Sequence, residues 1–183
     1  IRRSELLRDG WTLSRVTREL CQGLAVYHNV VPMTDDKVAT VVETNEGNLA
    51  FQIYFVEKEC RPVVRGIRFQ GAEDAQPALA FTEALKSATA LVFCPSNPFL
   101  SIAPILALPT VRRQVKGFSG PRLAVSPIVG GYALRGPAGK MLAELGYAVS
   151  ATAVAQWYQG LCDIFLVDEV DRSHTEAIEA LGM

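Results

Sequence analysis

Three groups of residues have the types and spacing to do chemistry. Ser96, Asn97, Pro98 and Ser101 follow directly on the apolar run Ala90 to Cys94. Their hydroxyls and carboxamide are neutral donors and acceptors of the kind that hold a phosphate or a sugar. They stand where a buried strand would end, and in an open α/β sheet ligands bind outside the carboxyl ends of the strands. A plain turn, with Asx and Ser hydrogen bonds to its own backbone, is the competing reading. The second group is Ser126, Gly130 and Gly131, followed by Pro137 and Lys140. Glycines let backbone N–H groups approach an anion, and a helix start adds unsatisfied donors, so a phosphate would suit this loop. It is not a Walker loop, because Leu134 and Met141 occupy the places where that motif needs Gly and Ser or Thr. Lys140 reads equally well as a solvated helix lysine. The third group is Asp35 and Asp36, which could hold Mg²⁺ or orient an attacking hydroxyl, or could simply make a solvated bend. Asp168, Glu169 and Asp171 also follow a strand, but they read more simply as the start of the last helix.

The elements that must position these groups follow from periodicity. Leu13, Val16, Leu20 and Leu24 recur at helical spacing, with Thr12 or Ser14 as cap and Gly23 as stop. Asn29 to Met33 and Lys37 to Thr44 predict two strands meeting at the acidic tip. Leu49 to Glu59 predicts a short strand passing into a helix, and Val63 to Phe69 a strand. Pro77 opens a helix with Ala78, Phe81, Leu85 and Ala88 on one face. Ala90 to Cys94 predicts a strand covered on both faces. Val111 to Val115 reads as an exposed short helix ended by Gly117, and Arg122 to Ser126 as a second buried strand. A helix carries Met141, Leu142 and Leu145, another Val154, Trp157, Tyr158 and Leu161. Ile164 to Val167 is a strand, and Ser173 to Gly182 a helix with a capping box at Ser173 and Glu176. Alternation of strands and helices predicts a parallel sheet with helices on both faces.

Composition narrows the function. The chain has 183 residues, 49% of them hydrophobic, enough for one domain with a substantial core. A net charge of -1 gives no basic footprint for nucleic acid. No apolar stretch is long enough to cross a bilayer and the start carries no signal-peptide core, so a cytoplasmic protein without a membrane partner is expected. Cys21, Cys60, Cys94 and Cys162 form no C-x-x-C pair, and His28 and His174 sit in no ligand spacing, which points to free thiols rather than disulfides or zinc.

PSNPFLSIAPILALP at 95–109, VSPIVGG at 125–131 and GPAGKMLAELG at 136–146 together resemble the 2-phospho-L-lactate transferase family of deazaflavin (coenzyme F-420) biosynthesis, the CofD family. VPMTDDKVATVVET at 31–44, VRGIRFQGAEDA at 64–75 and DIFLVDEVD at 163–171 agree with it in order. Thr34-Asp35-Asp36-Lys37 stands where the family usually has Ser-Asp-Asp-Pro, and Arg135 where a Lys is common. The family's first strand and glycine-rich loop would lie upstream of Ile1, so the sequence is expected to be an internal piece of a longer transferase. The resemblance implies a Rossmann-like three-layer α/β fold, mostly parallel, with some antiparallel strands in the first half. It implies transfer of a phospholactyl or phosphoenolpyruvyl group from a guanosine-diphosphate-linked donor to the deazaflavin Fo, with GMP leaving, Mg²⁺ as cofactor and a homodimer as the assembly. Ser96, Asn97, Pro98, Ser101, Ser126, Gly130, Gly131 and Lys140 would then hold substrate, and Asp35 and Asp36 would sit near the acceptor or metal. Two alternatives stand beside it: a non-catalytic nucleotide-sugar-binding regulator of the same superfamily, and an inactive remnant.

Overall fold

A computed structural model describes residues 1–183. It opens with α1 (Arg2–Arg8), which packs on α2 (Leu13–Gly23). Of the two candidate caps it is Thr12 that starts α2, its hydroxyl accepting the Arg15 N–H. Leu6 and Val16 are the buried residues of this pair.

Three antiparallel strands follow: β1 (Ala39–Thr44), β2 (Gly47–Ala50) and β3 (Val64–Gln70), in the order β2-β1-β3. Asn45 and Glu46 close the β1–β2 hairpin. Between β2 and β3 the chain makes one wide helical turn, Ile53–Glu57, as the mixed periodicity of this stretch suggested. The strand expected over residues 29–33 does not form. Pro32 has no N–H to give a ladder, and the Met33 carbonyl accepts the N–H of Ala78 from a loop instead of a strand partner.

The second half builds the parallel sheet. After α3 (Leu79–Ser87) comes β4 (Leu91–Phe93), a second wide turn over Pro98–Ile102, α4 (Ala103–Leu106) and α5 (Pro109–Lys116). Then come β5 (Arg122–Val125), a small hairpin of β6 (Ile128–Val129) and β7 (Tyr132–Ala133), α6 (Ala138–Glu144) and α7 (Ala151–Tyr158). Finally β8 (Ile164–Leu166) leads through a 3₁₀ segment, Glu169–His174, into α8 (Thr175–Glu179). The order is β4-β5-β8, parallel throughout, with Phe93 beside Ala124 and Ala124 beside Phe165.

α5 differs from its reading as an exposed helix: Val111 and Val115 are buried and only its basic face looks out. The last helix also starts differently. Asp168 caps the 3₁₀ segment by accepting the Val170 N–H, whereas Ser173 lies inside that segment and caps nothing.

Side-chain rows explain how the sheet is covered. Phe93, Ala124 and Phe165 share one face, where Tyr158 of α7 packs its ring against both phenylalanines at 5.3 and 6.0 Å. Val92, Leu123 and Ile164 share the other. Both crossovers, β4 to β5 and β5 to β8, step the same way along the sheet. A right-handed connection therefore sends their helices to the same side.

One connected cluster of 19 buried residues joins the two sheets, drawing Val42 and Val64 from one, Ala124 from the other, and Met141, Leu142, Val154 and Tyr158 from the helices between. At the amino ends of β5 and β8, Arg122 is gripped by Asp163, which accepts both its backbone N–H and its Nε at 3.0 Å. Arg122 also donates to the carbonyls of Val115, Lys116 and Gly160. The guanidinium holds the Asp163 carboxyl below the usual range.

Candidate functional site

The chain leaves the carboxyl ends of β4 and β5 on neighbouring paths, and a cavity of about 710 Å³ opens between them. The β4 side contributes Pro95, Ser96, Asn97, Leu100 and Ser101. The β5 side contributes Pro127 and the segment Leu134–Ala138, and the stretch after β2 closes the cavity with Phe51 and, from the wide turn, Phe55. Those two rings lie 5.3 Å apart and give the cavity an aromatic wall beside its polar lining.

Asn97 shapes the β4 side. Its Oδ1 accepts the N–H groups of Phe99 and Leu100, at 2.9 and 3.3 Å, capping the turn that Pro98 begins. Nδ2 is left with the Met141 thioether at 3.3 Å, a weak acceptor. The turn is wider than an α-turn: the Ala103 N–H bonds back to Pro98 O. Wide turns of this kind concentrate at functional sites. It places Phe99 and Ile102 in the core and leaves Ser96, Leu100 and Ser101 along the cavity. Pro98 is itself buried behind that wall.

The β5 group is only partly assembled there. Ser126 is buried and serves the local bend, its hydroxyl donating to Ile128 O at 2.8 Å and accepting the Ile128 N–H. Gly130 and Gly131, at φ +58° and +82°, form the two-residue turn of the β6–β7 hairpin. A turn with both residues at positive φ explains the glycines. Neither lines the cavity, and the Gly130 N–H is already given to the buried carboxylate of Asp171 at 3.0 Å. Lys140 is tied elsewhere as well: Nζ donates to Pro62 O at 2.8 Å and pairs with Glu144, whose other oxygen accepts the Val64 N–H. That arrangement staples α6 to the start of β3.

Asp35 and Asp36 stand apart from the cavity. Asp35 accepts the backbone N–H and the hydroxyl of Ser14 at 2.6 and 2.9 Å, and Asp36 accepts the Gln76 N–H at 2.7 Å. The acidic turn thus pins α2 to the strand sheet and to the loop before α3. No three acidic, His or Cys side chains come together as a cation cluster. The charged side chain on the cavity wall is Arg135, a cation. These residues therefore offer Mg²⁺ no donor set of their own.

Reading the sequence for polar loops missed Arg135, Phe51 and Phe55 as cavity residues. Arg135 is exposed on the wall and joins no ion pair. The available signal was a basic residue directly before the Gly-Pro that opens α6. The phenylalanines carried none, since a five-residue aromatic stretch reads as core. The site as built can receive an anion at Arg135, hydrogen-bond a polar group along Ser96, Asn97 and Ser101, and stack a flat ring on the aromatic wall.

A 2-phospho-L-lactate transferase of Methanosarcina mazei is 39% identical over 180 residues, covering 98% of this chain and 59% of that relative. A phosphoenolpyruvate transferase of Streptomyces griseus is 42% identical over 186 residues, covering 99% of this chain and 58% of its own length. The chain thus spans less than two thirds of these relatives. Among solved structures, two crystal structures of a UPF0052-family protein from Bacillus halodurans share the fold, with TM-scores of 0.68 and 0.59 at 15% identity. They cover all of this chain and 62% and 61% of theirs. Residues 2–180, nearly the whole sequence, match the family model "2-phospho-L-lactate transferase CofD", and the chain belongs to that family.

Proposed function

We propose that the full-length protein transfers a phospholactyl or phosphoenolpyruvyl group from a guanosine-diphosphate-linked donor to a ribityl hydroxyl of the deazaflavin Fo, releasing GMP. The observation that carries this reading is the cavity between the ends of β4 and β5, with an unpaired guanidinium on one side and Ser96, Asn97 and Ser101 on the other. In such a transfer the hydroxyl oxygen bonds to the phosphorus bearing the three-carbon acid, while the bond from that phosphorus to the GMP oxygen breaks and GMP leaves with the electron pair. The hydroxyl proton is given up to solvent or a base. There is little covalent work for the protein, so positioning and charge stabilisation dominate.

On this reading Arg135 holds the diphosphate, and Asn97 Nδ2 and the two serine hydroxyls orient phosphoryl or acid oxygens. Phe51 and Phe55 offer their faces to the flat part of a substrate. Asp35 and Asp36 we assign to holding the turn at Thr34 rather than to the reacting groups. The relatives' names support both versions of the transferred group, lactyl and enolpyruvyl. Cytoplasmic placement and a homodimer belong to the same reading. No helix is long and apolar enough to cross a membrane.

The test is calorimetric titration of the full-length protein with Fo, GDP and a uridine-diphosphate sugar, followed by a turnover assay with the GDP-linked acids read by mass of the product. Binding of Fo and GDP with product formation is expected. Binding of the uridine-diphosphate sugar alone would favour the regulator, and binding of none of the three would overturn the transferase reading.

A further inference from the structure

A second cavity, of about 390 Å³, opens at the other end of the parallel sheet, by the amino ends of β4 and β5. Lys86 lines it from the end of α3, Arg113 and Gln114 from α5, and Phe118 and Ser119 from the loop that leads into β5. Two cations, an amide and a hydroxyl thus border one space, and no carboxylate lines it. Basic residues in the last turn of a helix commonly serve its free carbonyls. Here other groups do that. On α3 the Ser87 hydroxyl and the Ala88 N–H take the carbonyls of Glu83 and Ala84. On α5 the Gly117 N–H takes the Arg113 carbonyl, and Arg122 takes those of Val115 and Lys116. Lys86 and Arg113 join no ion pair either, so both charges are left for a guest.

The walls are held in place and their chemistry selects the ligand. A Cβ at Gly120 would clash with the Thr89 carbonyl and the Phe118 ring, so glycine lets the loop before β5 press on the loop before β4. The Leu91 N–H, bonded to Pro121 O at 2.9 Å, fixes the same approach. A phosphomonoester carries about −1.5 to −2 charge at pH 7 and three acceptor oxygens, which match two cations and a hydroxyl. A carboxylate would leave one cation unanswered. The volume lies within the roughly 300–1,000 Å³ of small-molecule sites, well above what inorganic phosphate fills. The Phe118 ring gives an apolar face to a carbon skeleton. Gln114 Oε1 is buried without a donor, and a ligand hydroxyl would satisfy that amide once it turns toward the cavity.

We propose that this cavity is a second binding site, separate from the one between the carboxyl ends of β4 and β5, and that it takes a small sugar phosphate. The phosphate sits on Lys86, Arg113 and Ser119, and a sugar hydroxyl on Gln114.

The test is calorimetric titration of the full-length protein carrying Arg135→Ala, a background that removes the cation of the first cavity. The probes are ribose 5-phosphate, glycerol 3-phosphate, inorganic phosphate and ribose. At least one of the two esters is expected to bind at a single site with a Kd of about 1 mM or tighter, and more tightly than phosphate or ribose. Adding Lys86→Ala or Arg113→Ala is expected to weaken that binding about tenfold, as for a lost charge-assisted hydrogen bond, with Tm unchanged because both side chains are exposed. Failure of both esters to bind overturns the proposal. So does ester binding that survives both cation replacements. Inorganic phosphate binding as tightly as the esters overturns the assignment to a sugar phosphate.

Discussion

Replacing Asn97 by Asp separates two roles that replacement by Ala would confuse. Asn97 Oδ1 caps the wide turn through Phe99 and Leu100, so Asn97→Ala removes a cap and costs about 1 kcal/mol of stability whatever the residue does for a ligand. Asp caps as well as Asn, so Asn97→Asp keeps both backbone bonds and shifts stability by less than about 0.5 kcal/mol. What it changes is Nδ2, whose protein neighbour is only the Met141 thioether, into a carboxylate oxygen on the cavity wall. If a diphosphate binds there, each phosphate charge meets a like charge at roughly 6 Å. With an effective dielectric of about 40 the repulsion is on the order of 1.4 kcal/mol, or tenfold in affinity, per charge. Two charges give a loss of about a hundredfold, less at high salt. The assay is GDP titration and thermal melting of both variants in the full-length protein. Unchanged GDP affinity in Asn97→Asp, with a lower Tm in Asn97→Ala, would refute the reasoning and leave Asn97 as a cap alone.

Arg135→Ala is expected to weaken GDP binding by about 1.5–3 kcal/mol, as for a lost charge-assisted hydrogen bond, with Tm nearly unchanged because the side chain is exposed and unpaired. Titration against GDP checks this, and Arg135→Lys is expected to recover part of the loss. Lys140→Ala behaves in the opposite way: it breaks the staple to Pro62 and Glu144, lowers stability by about 1–2 kcal/mol, and leaves GDP affinity within about twofold. The Arg122–Asp163 grip gives a pH signature. The Asp163 carboxyl is depressed in the folded protein, so its stabilisation is present above the unfolded value of about 4 and is lost as pH falls through the lower folded value. Asp163→Asn is thus expected to melt lower than the parent at pH 7, by no more than about 1 kcal/mol because the carboxylate is 45% exposed. The gap narrows as pH falls below about 4 and closes below the lower folded value, and melting curves from pH 2 to 7 would show it. Cys162, buried and pushed up to about 11, is expected to be the last thiol to react with a maleimide at pH 7.5.

The fold was readable wherever a short-range pattern and its tertiary environment agree. The apolar runs at 91–93, 122–125 and 164–166 form the parallel sheet, and polar residues after the first of them reach a cavity, because the carboxyl ends of adjacent strands must open onto shared space. Where the partner is distant in sequence, legibility fails. Two consecutive glycines suit an anion loop and a tight hairpin equally, and only Asp171, far along the chain, shows that the Gly130 N–H is taken. Lys140 looked free because the Pro62 carbonyl that fixes it lies on another element. Val111 and Val115 looked exposed among basic residues, yet a helix needs only one apolar stripe to be anchored. Coverage on both faces of β4 was a fair inference for a parallel sheet, yet Val92 is 63% exposed, because the side on which the crossover helices lie depends on the direction of the crossovers, which local periodicity does not encode.

The wide turn at Pro98–Ile102 carries a consequence for sequence drift. It holds one residue more than an α-turn would, and each helical residue rotates the next by about 100° about the axis. Losing any single residue between 98 and 102 would let the backbone relax into ordinary helix running straight into α4. Ser96 and Asn97 would then swing about a quarter of a revolution relative to Ala103 and Leu106. For the shape of the wall, length in this five-residue stretch is therefore constrained more tightly than identity: a point change at Leu100 leaves the turn in place, whereas an indel should abolish the cavity wall while sparing the sheet beneath it.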